Sequence, residues 1–141
     1  MTSLTPIIVD TSGLYALVDS KDPNHARAAA FLRAQTLARG LVVSNHVYDE
    51  TMTLVKLRLG VRVAMQVGLR LRNSQLVELV IFFAELEAAT GRIFGQYQDK
   101  AWSYTDCACL ALAHQRKLTH AFTFDHHFTQ MGLVATPTPF G

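Results

Sequence analysis

The sequence predicts an α/β sandwich, with a central, mainly parallel sheet flanked by helices. Three observations carry this expectation. Short apolar or β-branched runs alternate with longer stretches of helical spacing along the chain, and strands separated by helices pair in parallel. Two of the apolar runs, IIVD and AFTFD, end at an aspartate; open sheets of this kind carry their active sites beyond the carboxyl ends of the strands. Half of the 141 residues are hydrophobic, which suits the core of one compact domain.

Taken in order, residues 4–9 read as a first strand whose Ile7, Ile8 and Val9 form a buried run. Thr11 or Ser12 is placed to cap a short helix reaching about Val18. Asp22-Pro23 is a second start signal, a cap residue followed by proline at the first helical position. That helix repeats Ala26, Ala30, Arg33 or Ala34, and Leu37, and stops at Gly40. Residues 41–43 form a second strand, and Ser44 or Asn45 caps the helix carrying Val47, Glu50, Leu54 and Leu57. After Gly60 another helix runs over about 61–70. A strand over 77–82 and a helix over about 84–97 follow, the latter weakened at Gly91 and Gly95 by about 1 kcal/mol each. Ser103 opens a helix to Gln115, with Asp106 three residues on as in a capping box. A strand over 118–124 leads into Asp125, and Val134 belongs to a last edge strand. The domain therefore covers 1–134, and the Pro-rich tail 135–141 is expected to be loose. Phe82, Phe83, Phe94, Phe122 and Phe128 are expected in the core.

Several classes are disfavoured. No run of 18 apolar residues is present, so no membrane-spanning helix is expected. The opening MTSLTPIIVDTSG lacks a secretory pattern, and a cytoplasmic protein is expected. Cys107 and Cys109 are two apart in a helix and share no face, so buried thiols are expected rather than a disulfide or zinc site. No phosphate-cradling lysine motif is present to suggest an ATPase.

Four carboxylates occupy the chemically telling positions. Asp10 and Asp125 each end a strand, Glu50 lies early in the helix after the second strand, and Asp106 lies in a first helical turn. One edge of an α/β sheet can gather all four. Carboxylates this close repel unless a cation is present, and an all-oxygen donor set favours Mg²⁺ or Mn²⁺ over zinc. Such an ion activates water and stabilises charge on a phosphodiester. Each acid also has a plain role open to it: Asp10 as a helix cap, Asp106 as a dipole partner, Asp125 as a turn acid. Asp49 stands beside Glu50 as an alternative ligand. Their pKa values are expected to be ordinary until a metal lowers them.

At these motifs the chain resembles the PIN-domain family, and within it the VapC-like toxin branch, over nearly its full length. The resemblance is carried by IIVDTSGLYAL, VSNHVYDETM, WSYTDCACLALA and AFTFDHHF, in that order and spacing. It aligns Asp10, Glu50, Asp106 and Asp125 with the family's acids, and Ser12 and Thr123 with hydroxyl residues that support them. It implies a PIN fold, Mg²⁺- or Mn²⁺-dependent ribonuclease activity, a homodimer, and a small antitoxin protein as partner. The chain departs from many members in following Asp125 with His126 and His127, read as loop residues able to touch phosphate or bind a stray transition metal.

The formal net charge is only +2, but its placement is uneven. No acid occurs between Glu50 and Glu78, whereas Lys56, Arg58, Arg62, Arg70 and Arg72 do. A basic wall beside an acidic metal site suits RNA backbone contact; a solvated face, or a groove for an acidic partner, is the competing interpretation. Alternatives from other classes are a structure-specific DNA nuclease, a catalytically weak interaction module, and a small-molecule phosphatase.

Overall fold

The computed structural model describes residues 5–137, and the side chains of all of these except 35–38. In chain order the elements are β1 (Ile7–Val9), α1 (Thr11–Val18), α2 (His25–Arg39), β2 (Leu41–Ser44), α3 (Asn45–Leu59) and α4 (Val61–Asn73). They continue with β3 (Val77–Val80), α5 (Ala84–Gln96), α6 (Tyr104–Arg116), β4 (His120–Phe122), α7 (His127–Gln130) and β5 (Val134–Thr136).

The five strands form one sheet in the order β3-β2-β1-β4-β5, and every pairing is parallel. From β1 the chain builds outward through β2 to β3, then returns to the other side of β1 for β4 and β5. This reversal lies between β1 and β4, and a crevice opens there at the carboxyl ends of the strands. Asp10 follows β1 directly, and its backbone N–H donates to the Phe122 carbonyl at 3.1 Å. The ends of β1 and β4 are therefore tied together.

Hydrophobic burial holds this arrangement. Ile7, Ile8, Val9, Val43, Phe122 and Phe128 are wholly buried, each worth roughly 1.5–3 kcal/mol. Helix α6 is buried from Asp106 through Ala113, because it packs on α5 while also meeting α3, β1 and β2. Gly13 allows α1 to approach the sheet: a Cβ there would lie 2.5 Å from the Phe122 carbonyl oxygen. Gly40 ends α2 with φ +76°, a conformation glycine adopts without strain.

Some expectations change. The cap of α1 is Asp10 itself, whose carboxylate accepts from the Ser12 N–H, rather than Thr11 or Ser12. The Asp22 carboxylate accepts from the Asn24 N–H at 2.8 Å, forming a turn that delays α2 until His25. Ala28 and Phe31 face the core from α2, whereas Ala26 and Ala30 are exposed. Strand β3 stops at Val80, because the Phe82 N–H turns to the Asn45 side chain at 2.9 Å. Phe83 and Phe94 are exposed, not core: α5 turns Leu86 and Thr90 inward and leaves those rings outside.

Ala135 and Thr136 belong to β5, opposite Ala121 and Phe122 of β4. They are part of the domain's sheet rather than of a loose tail from residue 135. Leu4 of the expected first strand, and residues 138–141 of the expected tail, lie outside the described residues. The single-turn α7 was not foreseeable from periodicity. Cys107 and Cys109 are buried free thiols in separate apolar clusters, as their spacing implies. No helix among the described residues is long and apolar enough to cross a membrane.

Candidate active site

Four separate elements deliver the four predicted acids to one cleft of about 500 Å³. Asp10 arrives at the end of β1, Glu50 in the second turn of α3, Asp106 in the first turn of α6, and Asp125 in the loop after β4. Asp49 is exposed and does not line the cleft.

Hydrogen bonds orient the carboxylates. Asp10 Oδ2 accepts from the Ser12 N–H (3.3 Å), the Ser12 hydroxyl (2.6 Å) and the Thr123 hydroxyl (2.9 Å). The Ser12 hydroxyl in turn accepts from the Phe124 N–H at 2.9 Å, and Thr123 Oγ1 from the Asp125 N–H at 2.9 Å. Ser12 and Thr123 thus knit α1 to the loop carrying Asp125. Asp106 closes the expected capping box with Ser103: its Oδ2 accepts from the Ser103 N–H at 3.0 Å, and His127 Nδ1 lies 3.0 Å from the same oxygen. Asp125 Oδ1 accepts from the His127 N–H at 2.9 Å. Among the described residues, Oδ1 of Asp10, Oδ1 of Asp106, Oδ2 of Asp125 and the Glu50 carboxylate accept no hydrogen bond.

This donor set fits a hard divalent cation. Asp10 is 3% exposed, and burial, together with the Asp106 charge, pushes its pKa up to about 6 despite the opposing hydrogen bonds. The expectation of an ordinary value is therefore corrected for Asp10. A buried carboxylate that resists ionisation beside another carboxylate is relieved by a cation. Thr11 also lines the cleft, with its Oγ1 buried and without a protein partner.

The basic residues are dispersed. Arg58 lines the cleft, its guanidinium 4.9 Å from the Tyr15 ring centre. Lys56 and Arg62 are exposed around the junction of α3 and α4. Arg72 donates to the Tyr48 hydroxyl at 3.1 Å. Arg70 borders a different, apolar groove with Leu14, Leu17, Val67 and Leu71.

Sequence reasoning missed Asp22 and Asn24, which line the cleft from the turn before α2. The Asp-Pro-Asn run signalled a helix start, and nothing local signalled that the turn faces the acids. His127, also in the cleft lining, was read as a loop residue able to touch phosphate or a stray metal, not as a partner of Asp106. His46 lies elsewhere, 2.6 Å from Glu87 Oε1.

A parallel α/β domain with carboxylates gathered at its switch point is the class these features define. The family model for the PIN domain matches residues 7–133, and the chain belongs to that family, in its VapC-like branch. It is 29% identical over 128 residues to the 23S rRNA-specific endonuclease VapC20 of Mycobacterium tuberculosis, covering 91% of this chain and 95% of that protein. It is 32% identical over 126 residues to ribonuclease VapC26 of the same organism, covering 89% and 91%. The crystal structure of VapC20, described as a sarcin-ricin loop cleaving toxin, superposes with a TM-score of 0.85 at 28% identity, covering 91% of this chain and 96% of that one. FitAcB from Neisseria gonorrhoeae shares the fold, with a TM-score of 0.68 at 22% identity, covering 92% and 95%.

Proposed function

We propose that this chain is a Mg²⁺- or Mn²⁺-dependent endoribonuclease, the toxin of a toxin-antitoxin pair. The observation that carries the metal-dependent hydrolase is the convergence of Asp10, Glu50, Asp106 and Asp125 on one cleft, with oxygen atoms left free by the protein's own hydrogen bonds. RNA as substrate is supported by the VapC20 and VapC26 names.

In this reading Asp10, Glu50 and Asp106 hold the cation, and Asp125 joins them or orients the attacking water. The bound ion supplies an activated water and charge neutralisation at the phosphate. Ser12 and Thr123 fix which Asp10 oxygen faces the cleft. Arg58, the basic side chain lining that cleft, receives the RNA backbone, with Lys56 and Arg62 farther along the same path.

The antitoxin is a small protein whose apolar helix lies in the groove lined by Leu14, Leu17, Leu32, Val63, Val67 and Leu71. Arg33 and Arg70 at that groove suit acidic residues flanking such a helix. The chain itself pairs as a homodimer and works in the cytoplasm.

The deciding experiment is cleavage of defined RNA and DNA strands with Mg²⁺, Mn²⁺ or EDTA, by the wild type and by Asp106→Asn. RNA cut only with the metal, and a loss of about 100-fold or more in the variant, are expected, the scale of losing one electrostatic stabiliser. Metal-independent cleavage, or an active variant, would overturn the mechanism; cleavage of DNA alone would overturn the substrate.

A further inference from the structure

We propose that Asp125, His126 and His127 form a binding site for a borderline transition ion of the Zn²⁺ or Co²⁺ class, which shares Asp125 and His127 with the carboxylate cleft and inhibits it when filled. One ligand atom from each of the three residues lies within 4.8 Å of the others. His127 Nδ1 is 3.4 Å from Asp125 Oδ1, and His126 Nδ1 is 3.7 Å from the same oxygen. These separations are long for hydrogen bonds. They approach the edge of a tetrahedron around zinc: bonds of about 2.0–2.1 Å give ligand–ligand distances of roughly 3.3 Å.

Two of the three ligands, Asp125 and His127, are held in place before any ion arrives. Asp125 is fixed at both ends of its turn, its N–H on Thr123 Oγ1 and its Oδ1 on the His127 N–H, each at 2.9 Å. His127 opens α7, which is anchored by the wholly buried Phe128. The His126 side chain is 77% exposed, so the ion has a path from solvent and the ring turns at little cost. Two imidazoles and one carboxylate select zinc-class ions, whereas the four carboxylates of the cleft select Mg²⁺ or Mn²⁺. The two sites therefore discriminate by donor chemistry.

Coupling follows from shared atoms. His127 Nδ1 is also 3.0 Å from Asp106 Oδ2. An ion that takes this nitrogen and Asp125 Oδ1 removes a partner from Asp106 and adds positive charge at the edge of the cleft. Holding Mg²⁺ there becomes harder.

The test uses the full chain without a histidine tag, in excess Mg²⁺. Titration with Co²⁺ is followed by visible absorption, which reports low-symmetry imidazole ligation. We expect one Co²⁺ per chain, displaced by Zn²⁺ but not by Mg²⁺, and an affinity at least about tenfold weaker in His126→Ala. In the cleavage assay, micromolar Zn²⁺ should inhibit the wild type at least about tenfold more strongly than His126→Ala, whose activity without Zn²⁺ is unchanged. Equal Co²⁺ affinity in the two proteins, displacement by Mg²⁺, or no binding to the wild type would overturn the site. Equal Zn²⁺ inhibition would overturn its coupling to the cleft. The absorption arm contains no RNA, so failure of the nuclease reading leaves it decisive.

Discussion

The Thr123 hydroxyl donates to Asp10 Oδ2 at 2.9 Å, joining residues 113 apart in the chain. The bond links the exit of β4 to the exit of β1, while Thr123 Oγ1 also accepts from the Asp125 N–H. One buried side chain therefore sets the orientation of Asp10 and the start of the Asp125 turn. Thr123→Val keeps the shape and removes both bonds. We expect a loss of about 1–3 kcal/mol in stability, the cost of leaving buried polar groups unpaired, and a shift of the Mg²⁺ titration of cleavage to higher concentration. Thr123→Ser should restore both. Urea unfolding and a Mg²⁺ titration of activity check this; a valine variant matching the wild type in both would show the bond to be incidental.

The raised Asp10 pKa has a defined sign. Its folded value of about 6 exceeds the ordinary aspartate value of 3.8, so between these limits the folded state holds the proton more tightly than the unfolded chain. Stability of the metal-free protein therefore falls as pH rises from about 4 through 6, by about 3 kcal/mol from this group. Asp10→Asn should remove that slope and be more stable than the wild type at pH 7, with the difference vanishing near pH 4. Cation binding needs the carboxylate, so the metal affinity of the wild type should weaken as pH drops through 6. Denaturant unfolding in EDTA across this range decides it: a variant with the same slope would show that another group titrates.

Arg58 should stand apart from the other basic residues. It lines the acidic cleft, whereas Arg70 borders the apolar groove and Arg72 is engaged by Tyr48. Arg58→Ala should weaken RNA binding across sequences and lower the salt slope by about 1. Arg70→Ala and Arg72→Ala should leave that slope unchanged. Fluorescence anisotropy on an Asp106→Asn background, at several salt concentrations, separates them. Equal effects at all three positions would restore a continuous basic wall.

The sheet and its acids were legible because their signals are local. A β-branched run into Asp10, a serine cap three residues before Asp106, and a strand leading to Asp125 each follow from neighbouring residues. What escaped depends on tertiary placement. Asp22 reaches the cleft only because its turn folds beside α1, and its sequence signal is identical to an ordinary helix start. Arg70 is separated from Arg58 because α4 breaks from α3 at Gly60, whose φ is +96°. Phe83 and Phe94 look like core by composition, yet α5 meets α6 through its other face.

Those two rings carry the last prediction. Phe83 stands at the N-cap of α5 and Phe94 eleven residues on, and at 100° per residue the two positions nearly coincide around the helix. They are 79% and 51% exposed, and the Phe94 ring contacts the Tyr104 ring at 5.5 Å. Aromatic side chains are enriched at the centres of protein interfaces, and an exposed apolar cluster is unfavourable in a monomer. Helix α4 offers a weaker alternative: Val61, Met65 and Leu69 are exposed at four-residue intervals, without rings. The proposed homodimer should therefore pair through α5. Phe83→Glu should yield a folded monomer at micromolar concentration, and Met65→Glu should remain dimeric. Sedimentation velocity of the two variants and the wild type tests this. Dissociation by Met65→Glu alone would move the interface to α4, and a wild type monomeric at every concentration would remove the dimer from the proposal.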